Sequence, residues 1–393
     1  MDDKRVVPWR PSVKQRAEQF AAAAQQLQRE REDAPAALTR ILAATARADI
    51  PTLVERPELR TAGAVEHLGT ILSAELTKEP RYAEALAMLA ISLAEALPPV
   101  YPSVILRQLR VHAWKDLGKV LSFLARQDEA IEAYDRAEAE LGDISLEHDR
   151  SIVRLNRAIT YQEIGRFDEA LVLLAECKEI FGEYRDVRLA TISGFYEGLL
   201  LQRMRRYREA REMHLLLLAA NANLDEDTLA ALHNAIGYAS IELGEYDAAE
   251  ANLTRAANLF QQLNQPLEAL KPQLGHGRLL IRRGRYTEAI AHLRKVRHQF
   301  LRNSLAEEAG LCGLEMVEGM LLLGRHEDAE TLARTIMSEF LAADLSTRAI
   351  EALGYLSEAI ASSKASPKMA NDVREYVVSL RTFPERAFTH SEL

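Results

Sequence analysis

Cysteine is almost missing from this chain. Its 393 residues hold two, Cys177 and Cys312, too few and too far apart to outline a disulfide framework or a thiolate zinc site, and the scarcity suits a reducing compartment. Aromatic residues make up only 6% against 48% apolar overall, so alanine and leucine carry the hydrophobic content and helix is favoured over sheet. No apolar run reaches about 18 residues, the length a membrane span needs, so no membrane contact is expected. The opening MDDKRVVPWRPS lacks the apolar stretch of a secretory signal, which makes the cytoplasm the expected location. With a net charge of −9, nucleic acid is disfavoured as the main partner.

Enzyme signatures are also lacking. The sequence has neither GxxxxGK[ST] nor HExxH, and its ten histidines are scattered. Acidic clusters such as DEDT at 225–228 and EDAE at 327–330 read as first-turn acids that favour helix N-termini, rather than as a catalytic pair. Cys177 and Cys312 read as small buried hydrophobes. No catalytic activity, cofactor or metal is expected.

What the chain does have is repetition. LARQDEAIEAY at 124–134 aligns with QEIGRFDEALVLL at 162–174, QRMRRYREAREMH at 202–214, IELGEYDAAEANL at 241–253, IRRGRYTEAIAHL at 281–293 and LLLGRHEDAETLA at 321–333. One alanine keeps register through all six, at 130, 170, 210, 249, 289 and 329, in steps of 40, 40, 39, 40 and 40. Twelve residues earlier stands a small residue, Gly118, Ala158, Gly198, Gly237 and Gly277, with Val317 in the last unit. Glycine recurs between the two halves of a unit, at Gly165, Gly244, Gly284 and Gly324, where a positive φ ends a helix. Each unit is therefore predicted to be a helical hairpin, helix A followed by helix B, that buries its apolar face only by stacking on its neighbours.

These units resemble the tetratricopeptide repeat. The first carries the pattern in Trp114, Leu117, Gly118, Leu121, Ala130, Tyr134 and Ala137, the fourth in Ile236, Gly237, Gly244, Tyr246, Ala249 and Ala256. The period exceeds the family's usual 34 or so residues and is similar to the long repeats of kinesin light chains and of bacterial peptide-responsive regulators. The resemblance implies an all-α, right-handed superhelical solenoid of antiparallel helix pairs. Residues 105–343 are read as six repeats and 61–104 as a degenerate one, with a helix B after Pro80 that puts Tyr82 and Ala85 in the repeat's roles. Residues 1–60 are read as a helical cap, with helices over 12–31 and 34–47. In 344–381, TRAIEALGYLSEAIASS is read as a helix A with Gly354 at the small position, MANDVREYVVSL as its partner, and 382–393 as a frayed end.

By the same resemblance, ligands are presented to inward-facing positions of helix A. Carried over, these include Lys115 and Lys119, then Asn156, then Phe195, Tyr196, Gln202 and Arg203, then Asn234 and Tyr238, then Lys271, Arg278 and Arg282, and in the sixth unit Glu315 and Glu318. Asn156 and Asn234 stand where peptide-binding relatives use asparagine to hold a ligand backbone, and an amide both donates and accepts. Phe195, Tyr196 and Tyr238 supply an apolar floor, while Lys115, Lys119, Lys271 and Arg278 supply positive charge. A second candidate surface is a row at the A–B turn, Arg126, Arg166, Arg206, Arg285 and Arg325, read as a basic edge that keeps the surface soluble or meets an acidic partner. The expected function is a scaffold or adaptor that binds a protein or peptide. The alternatives are a peptide-responsive regulator and an accessory domain of an enzyme complex.

Overall fold

The six alanines that set the repeat register are all fully buried, each within the first turn of a helix B. In the computed structural model the described residues are 13–76, 78–142, 146–220, 224–383, 386 and 388, and no strand occurs among them. They belong to two compact units, Met1–Thr160 and Tyr161–Leu393.

The first unit holds α1 (Val13–Ala43), a short 3-10 segment (Arg47–Glu55), α2 (Ala62–Glu75), α3 (Pro80–Glu95), α4 (Ser103–Phe123), α5 (Gln127–Leu141) and most of α6 (Glu147–Glu163). Two helices were expected over 12–31 and 34–47; α1 instead runs unbroken through Pro35. Proline removes one backbone donor there, but Leu27, Ala34, Leu38, Ile41 and Leu42 share one buried face on both sides of it. Glu30, read as part of a polar helix end, accepts from the backbone N–H of Ala62 at 2.9 Å and from the Tyr101 hydroxyl at 2.7 Å, so it caps α2. In α3 the fully buried alanines are Ala83 and Ala87, whereas Ala85 is only half-buried, so the degenerate unit does not keep the repeat register.

The second unit continues with α7 (Phe167–Glu183), α8 (Val187–Arg203), α9 (Tyr207–Ala220), α10 (Glu226–Glu242), α11 (Tyr246–Gln262), α12 (Leu270–Arg282), α13 (Tyr286–Arg302), α14 (Ala306–Leu322), α15 (His326–Ala342), α16 (Thr347–Ala361) and α17 (Pro367–Leu380). Each helix from α7 to α16 packs on the next, and α8, α10, α12 and α14 also touch in sequence, which makes the first helices of successive pairs a continuous row.

Two local rules recur in the six repeats. The A–B turn is a Schellman closure: the N–H of residues 126, 166, 206, 245, 285 and 325 reaches back five residues to a helix A carbonyl at 2.8–2.9 Å. The residue before it is left-handed, with φ of 69–77° at the four glycines, and Ala125 and Arg205 take the same conformation where glycine is absent. The second rule is close approach. A Cβ on Gly237 would lie 2.7 Å from the Leu253 side chain, sixteen residues on, and one on Gly118 would meet Tyr134 at the same spacing. Where helix A carries Val317 instead, the register places Ala333 opposite and both are buried, so bulk has changed sides.

Candidate functional site

The row of turn arginines follows from the Schellman closure, since the same residue is the N-cap of helix B. Each arginine folds onto a carboxylate three residues later. Arg206 donates to Glu209 at 2.7 and 2.6 Å, Arg285 to Glu288 at 2.9 and 2.6 Å, and Arg325 to Asp328 at 2.7 Å. Arg126 pairs with Glu129 and also with Glu84, and Arg166 pairs with Glu169. Each carboxylate in these Arg–Glu pairs titrates below its ordinary range because of the arginine hydrogen bonds. The row is thus a series of exposed, charge-neutral pairs. The acids at 129, 169, 209, 288 and 328 are visible in sequence at one fixed offset, and that offset was the missed signal.

The helix A candidates divide between the units. In the first, Lys115 pairs with neighbouring Asp116 at 2.8 Å, and half-buried Lys119 has its pKa lowered by desolvation, which Asp116 opposes. Asn156 spends its amide N–H₂ on the carbonyl of Ile152, one turn back. In the second unit, Phe195 and Tyr196 meet edge to face at 5.8 Å. Tyr238 donates to the backbone carbonyl of Lys271 at 2.9 Å, and burial pushes its phenol up to about 12. Lys271 pairs with Glu268 at 2.6 Å. The Oδ1 of Asn234 is buried with no hydrogen-bond partner.

Arg278 is not available as a ligand charge. It donates to the buried Glu315 at 2.7 Å and lies 3.5 Å from Glu242, while its neighbour Arg282 holds Glu318 at 2.6 Å. Between these carboxylates enters Arg374 of α17, 2.6 Å from Glu315 and 3.4 Å from Glu318. Burial works to raise the Glu315 pKa, but Arg278 and Arg374 outweigh it and hold the carboxyl below its usual range. Burial of Arg278 is likewise outweighed, chiefly by Glu315, and its pKa is raised.

That cluster reassigns the C-terminal helix. The expected partner of α16 packs chiefly on α14, through Arg374 and through Arg381, which reaches Glu307 at 2.6 Å and Glu308 at 3.2 Å. Gly354 accordingly meets no close neighbour and is only half-buried. Of the segment expected to fray, residues 384, 385, 387 and 389–393 lie outside the described residues. Before and between them, Thr382 accepts from Arg203, Phe383 sits edge to face with Phe167 at 6.3 Å, and Phe388 packs on Tyr355 and Tyr376.

Beside α17 a cavity of about 550 Å³ remains open. Gln202 and Arg203, at the end of α8, form one side with Phe167 and Tyr207; α17 and Phe383 form the other. Among the described residues, no group of three or more His, Cys, Asp and Glu is arranged to hold a metal, and no helix is long and apolar enough to cross a membrane. Cys177 and Cys312 are both buried and neither forms a disulfide, and burial pushes the Cys312 thiol up.

The tetratricopeptide repeat family model matches residues 230–263, the span of the α10–α11 hairpin. The chain folds as a helical solenoid similar to that of tetratricopeptide-repeat proteins. Its fold is similar to that of the apo quorum sensor NprR from B. thuringiensis, with a TM-score of 0.60, 12% identity and coverage of 94% of this chain and 99% of that one. It is similar also to the apo form of RapI, with a TM-score of 0.54, 20% identity and coverage of 70% and 99%. A third likeness is to a signal transduction ATPase with a tetratricopeptide repeat sensor from Pyrococcus horikoshii: TM-score 0.58, 14% identity, 91% of this chain but 53% of that one. Comparison with curated proteins gives no match.

Proposed function

We propose that this chain is a non-enzymatic, cytoplasmic binding module that holds a peptide, or a peptide-like segment of a protein partner, on the helix A row of its second unit. The observation that carries this reading is the open cavity of about 550 Å³ edged by Gln202 and Arg203, two inward-facing helix A positions. A volume of that size accommodates a few side chains, and its mixture of rings and polar groups suits a peptide. Asn234 lies just behind that edge: its Oδ1 is buried without a hydrogen-bond partner, and the carbonyl of the next residue, Ala235, accepts from the Gln202 amide at 2.9 Å. The basic edge has less to recommend it, since each of its arginines already has a carboxylate.

The regulator reading gains from α17, which lies on α14 and borders the cavity. A ligand entering there would touch a helix that packs more on α14 than on its own hairpin partner α16, as suits a protein of the quorum sensor's fold.

The test is selection of random peptides on the full-length chain, followed by titration of a selected peptide. Replacing both Gln202 and Asn234 with alanine should leave the melting curve intact and weaken binding at least about tenfold, given about 0.5–1.5 kcal/mol per lost hydrogen bond. If removal of Arg126, Arg166 and Arg285 abolishes binding while the helix A variant binds normally, the turn edge is the site instead.

A further inference from the structure

The outer face of the helix B row changes character along the second unit. Residues five, six, nine and thirteen positions after the buried alanine lie on the opposite side of the helix, about 140–240° away at 100° per residue. They are exposed in α7, α9, α11 and α13 wherever described. In α7 this face is acidic, with Glu176, Glu179 and Glu183, and the neighbouring Lys178 is held by Glu197 at 2.5 Å. In α9 it is apolar: Leu215 is 39% exposed and Leu216 66%, and Ala219 follows one turn on. In α13 it is basic, with Arg294, Lys295, His298 and Arg302, and Arg255 of α11 leads into it. Leu216 marks the break most plainly, since the same register position holds Glu176 in α7, Arg255 in α11, Lys295 in α13 and Thr335 in α15. Among the described residues, Glu179, Glu183, Arg255, Arg294, Lys295 and Arg302 form no ion pair, unlike the turn arginines.

We infer that this face docks a second copy of the chain through a twofold contact. Exposed leucines with unpaired charge of opposite sign on their two sides call for a partner whose charges run in the reverse order. A second copy turned about a twofold axis between α9 and α11 presents that order by construction. Helix α7 of each copy then faces α13 of the other, so the acidic and basic rows meet twice. Helix α9 of each faces α11 of the other, where Ala251, Thr254 and the aliphatic stem of Arg255 receive Leu215 and Leu216. None of these residues lines the cavity beside α17, so the pairing stands apart from peptide binding.

The experiment is sedimentation of the full chain at rising concentration, up to the millimolar range. The parent should pass from one copy to two and stop there, and salt should weaken the dimer. A monomer throughout, or growth beyond two copies, would overturn the twofold pairing. Leu216→Asp should weaken dimerisation at least about tenfold, because a central apolar contact is lost twice in each dimer. Charge reversal gives the sharper reading. One variant carries Glu179→Lys and Glu183→Lys, the other Arg294→Glu and Lys295→Glu. Each alone brings like charges together and should dimerise more weakly than the parent, whereas an equimolar mixture makes both contacts complementary and should restore the dimer. Melting curves of the three variants, expected to match the parent, guard against misfolding. A mixture no better associated than its components would overturn the arrangement. So would a dimer that survives Leu216→Asp and both reversals.

Discussion

Two sets of arginines use the same chemistry in opposite settings. Those at the turns, from Arg126 to Arg325, lie 40–47% exposed and fold onto a carboxylate of their own helix. Arg374 is 3% exposed and ties α17 to carboxylates of α14 that are themselves buried. Exposed pairs are screened by water and salt and contribute little. A buried ion must be matched, because removing one partner strands the other in a medium that cannot solvate it. Regularity along the sequence thus marks the weaker set, while the stronger one hangs on an arginine outside the repeat pattern.

The largest effect should come from Arg374→Met. Glu315 keeps Arg278 and Glu318 keeps Arg282, so the loss should fall at the lower end of the about 3–5 kcal/mol typical of broken buried pairs. Urea unfolding checks it, and a loss no greater than that of Arg285→Met would break the comparison. The pH dependence has a defined sign. Glu315 has a depressed pKa in the folded chain, so its contribution is complete above the ordinary carboxylate range and is lost as pH falls through the lower folded value.

His214 sharpens the same contrast from the neutral side. It is fully buried behind Gly198, where other repeats carry Tyr134, Leu253 or Leu293, and burial pushes its pKa down to about 4, opposed by its hydrogen bond with the Phe195 carbonyl. Because the folded value lies below the ordinary His value of about 6.5, this stability is present above pH 6.5 or so and fades toward pH 4 or so, by about 3 kcal/mol. His214→Leu should flatten the stability profile in that window, and an unchanged slope would contradict the assignment.

Gly237→Leu tests packing without charge. It forces a branched side chain onto Leu253, at about 1–3 kcal/mol. Ala249→Leu should behave similarly, and unchanged melts for both would show the helix register to be misplaced. The smallest effect belongs to the turn row. Arg285→Ala should shift the melting temperature within experimental scatter, and the shift should shrink further in high salt.

The repeat core was readable because one contact recurs. The small residue of helix A and its partner sixteen positions later trade volume within a fixed register, and the turn needs a left-handed residue at one place. The acids facing the turn arginines were equally readable at their constant offset. The destination of α17 was not. Its apolar face, Ala370, Val373, Tyr376, Val377 and Leu380, fits a helix B as well as it fits the side of α14, and only the meeting of Arg374 with Glu315 and Glu318 decides between them. Glu315 also engages Arg278 and so removed it from the ligand candidates, since long-range ion pairing leaves no local pattern. Helix α1 hid for the opposite reason: Pro35 and the charged stretch before it look like an end, yet the buried face runs past both.

Hydrogen–deuterium exchange of the full chain with and without a selected peptide tests the proposed site most directly. Slowed exchange should appear at residues 202–207, where α8 passes into α9, and along α17 and the following residues to 383. The turns at Arg285 and Arg325 should stay unchanged. Protection confined to those turns, with none at 202–207 or in α17, would contradict the account.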